Sequence, residues 1–256
     1  MLQFDQTREK EDNMKIKIIN PNITQRMTRE VEEAARKYAS PGTEVYAVSP
    51  PTGPDSVESL YDEVLAVPGV ISEIIKGDRE ENADAFIIAC FGDPGLEAAR
   101  EVTDKPVIGI AQAAIEAARL MAPNFSVLYV LDKSQKIIEN VLKLHNAENE
   151  CCSIRSIGLG VLESEDKEKL LKALTEKGRI CMEQDGAECI LLGCAGYVQF
   201  AEKMKDELGI LVLDGVVPAV KFCEAMVEIG AKIPKRKLCD FPDKKGILGF
   251  DNLTKF

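Results

Sequence analysis

The sequence has no tryptophan and a single histidine, His145, and only 5% of its residues are aromatic. A cysteine nucleophile of the protease type needs a histidine base beside it, and His145 lies in a predicted helix away from the cysteine motifs described below. The sequence contains no C-x-x-C pair, and His145 has no cysteine at metal-ligand spacing. A zinc site is therefore not expected.

Excess positive charge and long apolar runs are also missing. The 256 residues include 32 Lys and Arg against 43 Asp and Glu, a formal net charge of −11. This balance disfavours nucleic acid and anionic membranes as partners, and no apolar run approaches the length that spans a bilayer. Residues 1–13 are polar and lack the apolar segment of a signal peptide. We therefore expect a disordered or frayed N-terminal extension on a cytoplasmic protein.

Short apolar runs rich in β-branched residues alternate with segments of helical periodicity. This alternation predicts an α/β fold with βαβ units and a parallel sheet. Asp93 is expected to cap a helix beginning at Pro94, and the helix after Ser56 is interrupted in pattern at Pro68-Gly69. The predicted strands are 15–20, 44–49, 85–91, 106–111, 125–131, 153–160, 187–194 and 210–216. Further helices are predicted at 26–39, 134–146, 164–184, 197–208 and 216–230.

Two stretches of the sequence read almost alike, FIIACFGDPG (86–95) and ILLGCAGYVQ (190–199). Each is an apolar strand followed by a cysteine, one spacer and a glycine, and each cysteine ends the third strand of its half. Ligands of open α/β sheets collect beyond the carboxyl ends of the strands. Two similar halves facing each other would bring Cys90 and Cys194 to one cleft from opposite sides.

Two opposed thiols suit proton transfer. The N–H groups of the glycine turn and of the following helix favour negative charge, so we expect the pKa of each thiol to be lowered. One thiolate can remove a proton from a carbon acid while the other thiol returns a proton to the opposite face, which inverts a stereocentre without a cofactor. Backbone N–H groups are candidate donors to the enolate oxygen, at Gly92-Asp93 and Ala195-Gly196.

The other six cysteines are interpreted as structural free thiols, because a reducing cytosol disfavours disulfides and free cysteine often packs as a small apolar residue. His145, near a helix C-terminus, is expected to be solvated or held by the helix dipole. Asn20 and Asn22 lie at the carboxyl edge of the first strand and are candidate ligand-binding residues. Asp214-Gly215 is expected to form a turn and helix cap. The six remaining cysteines are Cys151, Cys152, Cys181, Cys189, Cys223 and Cys239.

Several motifs resemble the aspartate/glutamate/hydantoin racemase superfamily, most nearly its hydantoin and allantoin racemase branch. They occur in the family's order between about Met14 and Val227. Two positions depart from the hydantoin-type pattern: Tyr129-Val130 replaces a threonine pair, and Gln112 replaces an acidic residue. The motifs are INPNIT (19–24), CFGDPGLEAARE (90–101), PVIGIAQAA (106–114), GCAGY (193–197) and LDGVVPAV (213–220).

The resemblance implies two pseudo-symmetric Rossmann-like domains, each a mostly parallel sheet flanked by helices, with the active site in the interdomain cleft. The first domain would span 14–114, with 217–256 returning to it, and the second 115–216. The resemblance also implies a homo-oligomer and a small-molecule substrate.

The implied activity is cofactor-independent racemisation of a 5-substituted hydantoin, or a related ureide such as allantoin, with Cys90 and Cys194 as the two acid/base residues. No cofactor and no metal are expected. The implied substrate-binding residues are Asn20, Asn22, Thr24, Phe91, Gly92, Asp93, Gln112, Tyr129, Ala195, Gly196 and Tyr197.

Three alternatives remain open on the sequence. A free aspartate or glutamate racemase would need cationic or helix-terminal groups for the side-chain carboxylate, and the strand-end motifs carry no diagnostic Arg or Lys. A maleate isomerase or arylmalonate decarboxylase is the second, although decarboxylation by one thiol leaves the other cysteine unnecessary. A small-ligand binding protein on the same scaffold is the third, from a non-enzymatic class.

Overall fold

The computed structural model describes residues 13–160 and 166–246. The extension expected at 1–13 lies, except for Asn13, outside the described residues. The described chain forms eight strands: β1 Met14–Ile19, β2 Thr43–Val48, β3 Ala85–Ile88, β4 Val107–Gly109, β5 Phe125–Tyr129, β6 Cys151–Ser156, β7 Cys189–Leu192 and β8 Leu211–Leu213. The α-helices are α1 Gln25–Tyr38, α2 Leu60–Arg79, α3 Leu96–Val102, α4 Ile110–Met121, α5 Gln135–Leu144, α6 Lys167–Asp185, α7 Ala201–Leu208 and α8 Val216–Glu228.

The strands form two four-stranded parallel sheets with matching topology, β2-β1-β3-β4 and β6-β5-β7-β8. The order is the same in both halves, and β3 and β7 occupy equivalent places. Side chains of both faces are buried under helices, as Ile87 and Ile88 of β3 show by entering different apolar clusters. The predicted α/β class with two similar parallel sheets is confirmed.

Helix α2 is longer and more regular than its sequence suggests. It starts where the Ser59 side chain accepts a hydrogen bond from the Asp62 N–H, and it continues through Pro68. The interruption expected at Pro68-Gly69 is therefore wrong. Burial of Ala66, Val70 and Ile74 along one face outweighs the backbone hydrogen bond that the proline removes.

The turn after β3 differs from the expectation for Asp93. Helix α3 begins at Leu96 with Gly95 as its N-cap, and Asp93 adopts a left-handed conformation with φ 47°. The Asp93 carboxylate instead accepts hydrogen bonds from the Ala111 and Gln112 N–H groups, at the start of α4 (3.0 and 2.8 Å). Asp93 is thus a cap for α4 and not for α3, because the turn directs its side chain across to the next βα junction.

The start of the next helix in the second half is also irregular. Residues Ala195–Phe200 form a 3₁₀ helix that leads into α7, so the helix predicted over 197–208 is α-helical only in its second part. Gly209 ends α7 in the left-handed conformation (φ 69°). The expected Asp214 cap is confirmed, since its Oδ1 accepts from the Val216 and Val217 N–H groups (2.8 and 2.9 Å).

Helix α8 lies against β1, β3 and β4 of the first sheet, so the chain returns to the first half after β8. The domain boundaries 14–114, 115–216 and 217–256 themselves stay predictions. Among residues 13–160 and 166–246, no helix combines the length and apolar character needed to cross a membrane.

A lysine side chain lies fully buried in the first sheet. The Nζ of Lys17 is 2.8 Å from a carboxylate oxygen of Glu73 and 2.7 Å from one of Glu81. The Lys17 side chain passes beside Gly77, where a Cβ would approach Lys17 Cδ to 2.8 Å. The missing side chain at Gly77 therefore gives the buried ammonium its route to the two carboxylates.

Candidate active site

A cavity of about 40 Å³ lies at the carboxyl ends of the two sheets, and both predicted cysteines line it. Cys90 follows β3 by two residues and Cys194 follows β7 by two residues, so the two thiols reach the cavity from equivalent places in the two halves. The described lining is Pro21, Asn22, Met27, Val57, Ala89, Cys90, Phe91, Gly92, Tyr129, Val130, Ser134, Ile137, Ile138, Gly193, Cys194 and Ala195.

The two cysteine turns have the same backbone hydrogen bonds. The Asp93 N–H donates to the Cys90 carbonyl and the Tyr197 N–H donates to the Cys194 carbonyl, both at 3.0 Å. The Gly92 and Gly196 N–H groups donate to the thiols of Cys90 and Cys194 respectively. The Gly92 and Gly196 N–H groups thus favour the thiolates rather than serving a substrate oxygen, and the Asp93 N–H is engaged by the Cys90 carbonyl.

The expected lowering of the thiol pKa values is wrong. Burial raises the pKa of Cys194 to about 11 despite the opposing Gly196 N–H. Burial raises the pKa of Cys90 further, and the negative charges of Glu63, Cys194 and Asp93 add to it in that order. The turn does favour each thiolate as predicted, but removal of the sulfur from water is the larger effect.

The asparagines after β1 form a hydrogen-bonded cluster beside the cavity. Asn22 lines the cavity, and its Oδ1 accepts from the Thr24 N–H and from Asn20 Nδ2, both at 2.9 Å. Asn20 Nδ2 also donates to Thr28 Oγ1 (3.0 Å), while buried Asn20 Oδ1 has no hydrogen-bond partner among the described residues. Asn20 therefore orients Asn22, and the Thr24 hydroxyl turns away to the Asp55 carbonyl (2.7 Å).

Not every residue predicted for the site reaches the cavity wall. Tyr197 is buried behind Cys194, and its hydroxyl has no hydrogen-bond partner among the described residues. Gln112 receives a hydrogen bond from Arg100 (2.7 Å). The predicted residues in the wall are Asn22, Cys90, Phe91, Gly92, Tyr129, Cys194 and Ala195, and those outside it are Asn20, Thr24, Asp93, Gln112, Gly196 and Tyr197.

The single histidine is closer to the cysteine turn than its sequence position suggests. His145 ends α5 with its side chain only 8% exposed, and its Nε2 lies 3.3 Å from Oδ2 of Asp93. The expectation of a solvated side chain is wrong, because the C-terminus of α5 packs against the turn that carries Cys90. Helical periodicity alone gives no signal for this contact.

Several wall residues come from segments that carry no strand-end motif. Val57 precedes α2, while Ser134, Ile137 and Ile138 belong to the turn and helix after β5. The Ser134 Oγ donates a hydrogen bond to the carbonyl of Glu58 (2.7 Å), which joins the two halves at the cavity. Only the apolar periodicity of α5 could have drawn attention to this side.

Glu63 of α2 is a further residue that sequence reasoning missed. Its carboxyl lies so close to the Gly92 backbone that a Cβ built on Gly92 would overlap its Oε1. Burial, with a smaller contribution from the Asp93 charge, raises the pKa of Glu63 to about 7. The Cys90 turn therefore has an ionisable carboxyl directly behind it.

The wall is mainly apolar, and none of the described residues in it is Lys or Arg. Two thiols meeting in such a cavity suit proton exchange at a neutral carbon acid. They suit a polyanionic substrate poorly, because burying carboxylates without cationic partners is costly.

Comparisons with known proteins agree with this geometry. The family model described as Asp/Glu/Hydantoin racemase matches residues 16–223. A hydantoin racemase of Pseudomonas sp. (strain NS671) is 48% identical over 92% of this chain and 95% of that protein. A hydantoin racemase of Paenarthrobacter aurescens is 39% identical over 92% of this chain and 100% of its own length.

A solved structure extends the agreement to three dimensions. The allantoin racemase from Klebsiella pneumoniae superposes with a TM-score of 0.92, at 40% identity, over 95% of this chain and 100% of that one. The similarities cover both cysteine turns and both sheets. The chain is therefore an enzyme of the Asp/Glu/hydantoin racemase family.

Proposed function

We propose that this chain racemises 5-substituted hydantoins without a cofactor, with Cys90 and Cys194 as the two acid/base residues. The observation that carries the proposal is that both thiols line one cavity from equivalent turns of two matching halves. Such a placement gives one proton-transfer group to each face of a carbon atom held between them.

The reaction is one proton removed and one proton returned. The thiolate of one cysteine takes the C5 proton, and the electron pair of the broken C–H bond moves into the adjacent carbonyl to give an enolate. The thiol of the other cysteine then donates its proton to the opposite face of C5, and the carbonyl re-forms. The two sulfurs have exchanged protonation states, and solvent exchange returns them to the starting arrangement.

The apolar wall favours a hydantoin over a free amino acid. A hydantoin ring is neutral, and the carbonyl beside C5 acidifies the C5 proton, so thiolates are adequate bases. Free aspartate or glutamate carries two carboxylates and an ammonium group, and the described wall residues supply no cation for the carboxylates. Apolar groups such as Val57 and Ile137 suit an alkyl or aryl substituent on C5.

Allantoin is the second candidate substrate. It is a hydantoin with a ureido group on C5, and the family includes the allantoin racemase reported above. Asn22 and Ser134 are polar groups in the cavity wall that could receive a ureido group. A decarboxylase of related fold would use one thiol, so it would leave the second cysteine of this cavity without a role.

The test is polarimetry of the purified enzyme on L- and D-enantiomers of 5-alkyl hydantoins, allantoin, aspartate and glutamate, with NMR of the C5 proton in deuterated water. We expect loss of optical rotation and deuterium uptake for the alkyl hydantoins. If no compound loses rotation and no C5 proton exchanges, the chain acts as a ligand-binding protein and the proposal fails. Racemisation of aspartate or glutamate alone would transfer the assignment to the free amino acids.

A homo-oligomeric state stays a prediction from the family resemblance, and a cytoplasmic location stays a prediction from the polar N-terminal residues. Light scattering of the purified protein measures the first directly. A monomer at micromolar concentration would contradict it.

A further inference from the structure

Glu63 is placed against the part of the Cys90 turn that holds the sulfur. Its carboxyl Oε1 contacts the Gly92 backbone, where a Cβ would overlap it, and Gly92 is the residue whose N–H donates to the Cys90 thiol. Glu63 lies in the first turn of α2, which starts at the Ser59 cap. The carboxyl is therefore held by a helix next to Cys90 and does not depend on a loose loop.

The charged groups near Glu63 and Cys90 differ in how well they are neutralised. Within residues 13–160 and 166–246, the Glu63 carboxylate has no hydrogen-bond donor, whereas nearby Asp93 is held by the α4 N–H groups and faces His145. Arg100 feels the Asp93 charge, but two of its guanidinium nitrogens donate to the Val107 carbonyl and one of them also to Gln112.

The titratable groups whose charges act on Cys90 are thus Glu63, Asp93 and Cys194. Among these three, Glu63 has the largest effect on the Cys90 thiol. No cation from the described residues neutralises Glu63, and its half-buried carboxyl lies against the Gly92 backbone. Its charge near Cys90 is therefore less screened than that of an exposed carboxylate.

We propose that Glu63 controls the protonation state of Cys90: while Glu63 is ionised, Cys90 keeps its proton and serves as the acid, and Cys194 becomes the first thiolate. This inference rests on the proposed racemase function. Glu63 is a positioning residue in this role, because it acts through the Cys90 sulfur and does not contact substrate. Protonation of Glu63 removes the repulsion and makes the Cys90 thiolate more accessible.

The control is reciprocal, as coupling between two titrating groups must be. Negative charge on Cys90 favours the protonated form of Glu63 as strongly as charge on Glu63 favours the Cys90 thiol. The two residues therefore tend to hold one proton between them in the working enzyme. The charge of Glu58 also raises the pKa of the Cys194 thiol, but no carboxyl from the described residues packs on Gly196. The close contact between a carboxyl and the glycine of the cysteine turn therefore belongs to the Cys90 half.

The test is the rate at which iodoacetamide alkylates Cys90 in the full-length protein, followed by mass spectrometry of the Cys90 peptide. The variant is Glu63→Gln, and the matched control is Glu33→Gln, an exposed carboxylate of α1. The assay reads the thiol itself and needs no turnover. A wrong substrate assignment therefore does not affect the result. The buried thiols of Cys181, Cys189 and Cys223 report any unfolding within the same sample.

We expect the rate ratio of Glu63→Gln to wild type to be close to one at about pH 6, where Glu63 is largely protonated, and to rise to about threefold at about pH 9. The figure assumes a decrease of about one unit in the thiol pKa, partly offset by the weaker nucleophilicity of a more acidic thiol. The rate ratio of Glu33→Gln to wild type should stay at one at both pH values. A ratio of one at both pH values, or an equal increase at both with the buried cysteines unreacted, would overturn the proposal.

Discussion

The hydroxyl of Ser134, in the wall of the cysteine cavity, donates a hydrogen bond to the carbonyl of Glu58 at 2.7 Å. Ser134 follows β5 of the second sheet and Glu58 precedes α2 beside the first. The bond joins the two halves beside a cavity whose wall includes Ser134 and both cysteines. Its loss should loosen the side of the cavity that Ser134 forms.

Replacement of Ser134 should weaken the contact between the two halves beside the cavity. We expect Ser134→Ala to cost about 1 kcal/mol of unfolding free energy, since one intramolecular hydrogen bond is lost, and to raise KM more than it lowers kcat. Urea denaturation and steady-state polarimetry check both. An unchanged KM with normal stability would mean that the Ser134 contact does not restrain the cavity.

Removal of either cysteine should stop racemisation. We expect Cys90→Ala and Cys194→Ala each to lower the rate at least about 10³-fold, because each deletes the only proton-transfer group on one face. A single variant should still exchange the C5 proton for deuterium in one enantiomer. Cys152→Ala, at an exposed cysteine, is the control and should retain full activity. Full racemisation by either active-site variant would defeat the two-base mechanism.

The pH dependence of the unfolding free energy should reveal the raised pKa of the Glu63 carboxyl. Its pKa is raised to about 7 in the folded protein, above the value of about 4.3 expected unfolded, so the folded state binds more protons between these values. Glu63 therefore contributes a loss of stability as pH rises through this window. Glu63→Gln should be more stable than wild type at about pH 8 and gain less at about pH 5, measured by urea denaturation. An equal difference at both pH values would contradict the shift.

The buried ion pairs of Lys17 give a prediction outside the active site. Lys17→Met should cost about 3–5 kcal/mol, since it leaves the buried Glu73 carboxylate without its cation, while Glu81 keeps its ion pair with Lys76. The double variant Lys17→Met/Glu73→Gln should recover part of that loss. Thermal and urea denaturation measure both variants. A double variant less stable than the single one would mean that the buried charge is not the cause.

The hydroxyl of Tyr197 has no hydrogen-bond partner among the described residues although it is buried. Tyr197→Phe should therefore raise the unfolding free energy, by about 1 kcal/mol, as an unpaired buried hydroxyl is removed. If the hydroxyl serves the substrate, KM should rise in the same variant. A large loss of stability would show that the hydroxyl has a structural partner.

The alternation of strands and helices could be predicted because periodicity and end signals are local properties of the chain. The positions of Cys90 and Cys194 followed from the same signals, since each lies directly after a buried strand. The direction of the shift in the thiol pKa values could not be predicted, because it depends on how completely the surrounding turns exclude water. Local sequence gives the favourable N–H groups but not the depth of the cavity.

Contacts between segments that are distant in the sequence could not be predicted either. His145 and Asp93 are separated by two strands and three α-helices, and no local sequence pattern links them. The Asp93 carboxylate was assigned to the nearer helix because capping rules operate within a few residues. Glu63 reads as an ordinary acidic residue in a first helical turn, and only the packing of α2 on Gly92 distinguishes it.

The matched order of the two sheets has a consequence for stereochemistry. A site with one thiol from each half can serve both faces of a planar intermediate, as an enzyme needs when its equilibrium favours neither hand. Thermodynamics then requires the same kcat/KM for both enantiomers, although kcat and KM can differ individually. The site remains chiral, because the repeat of the halves is not a mirror plane, and the carboxyl packed behind Gly92, with no counterpart from the described residues behind Gly196, adds to the difference between its two sides.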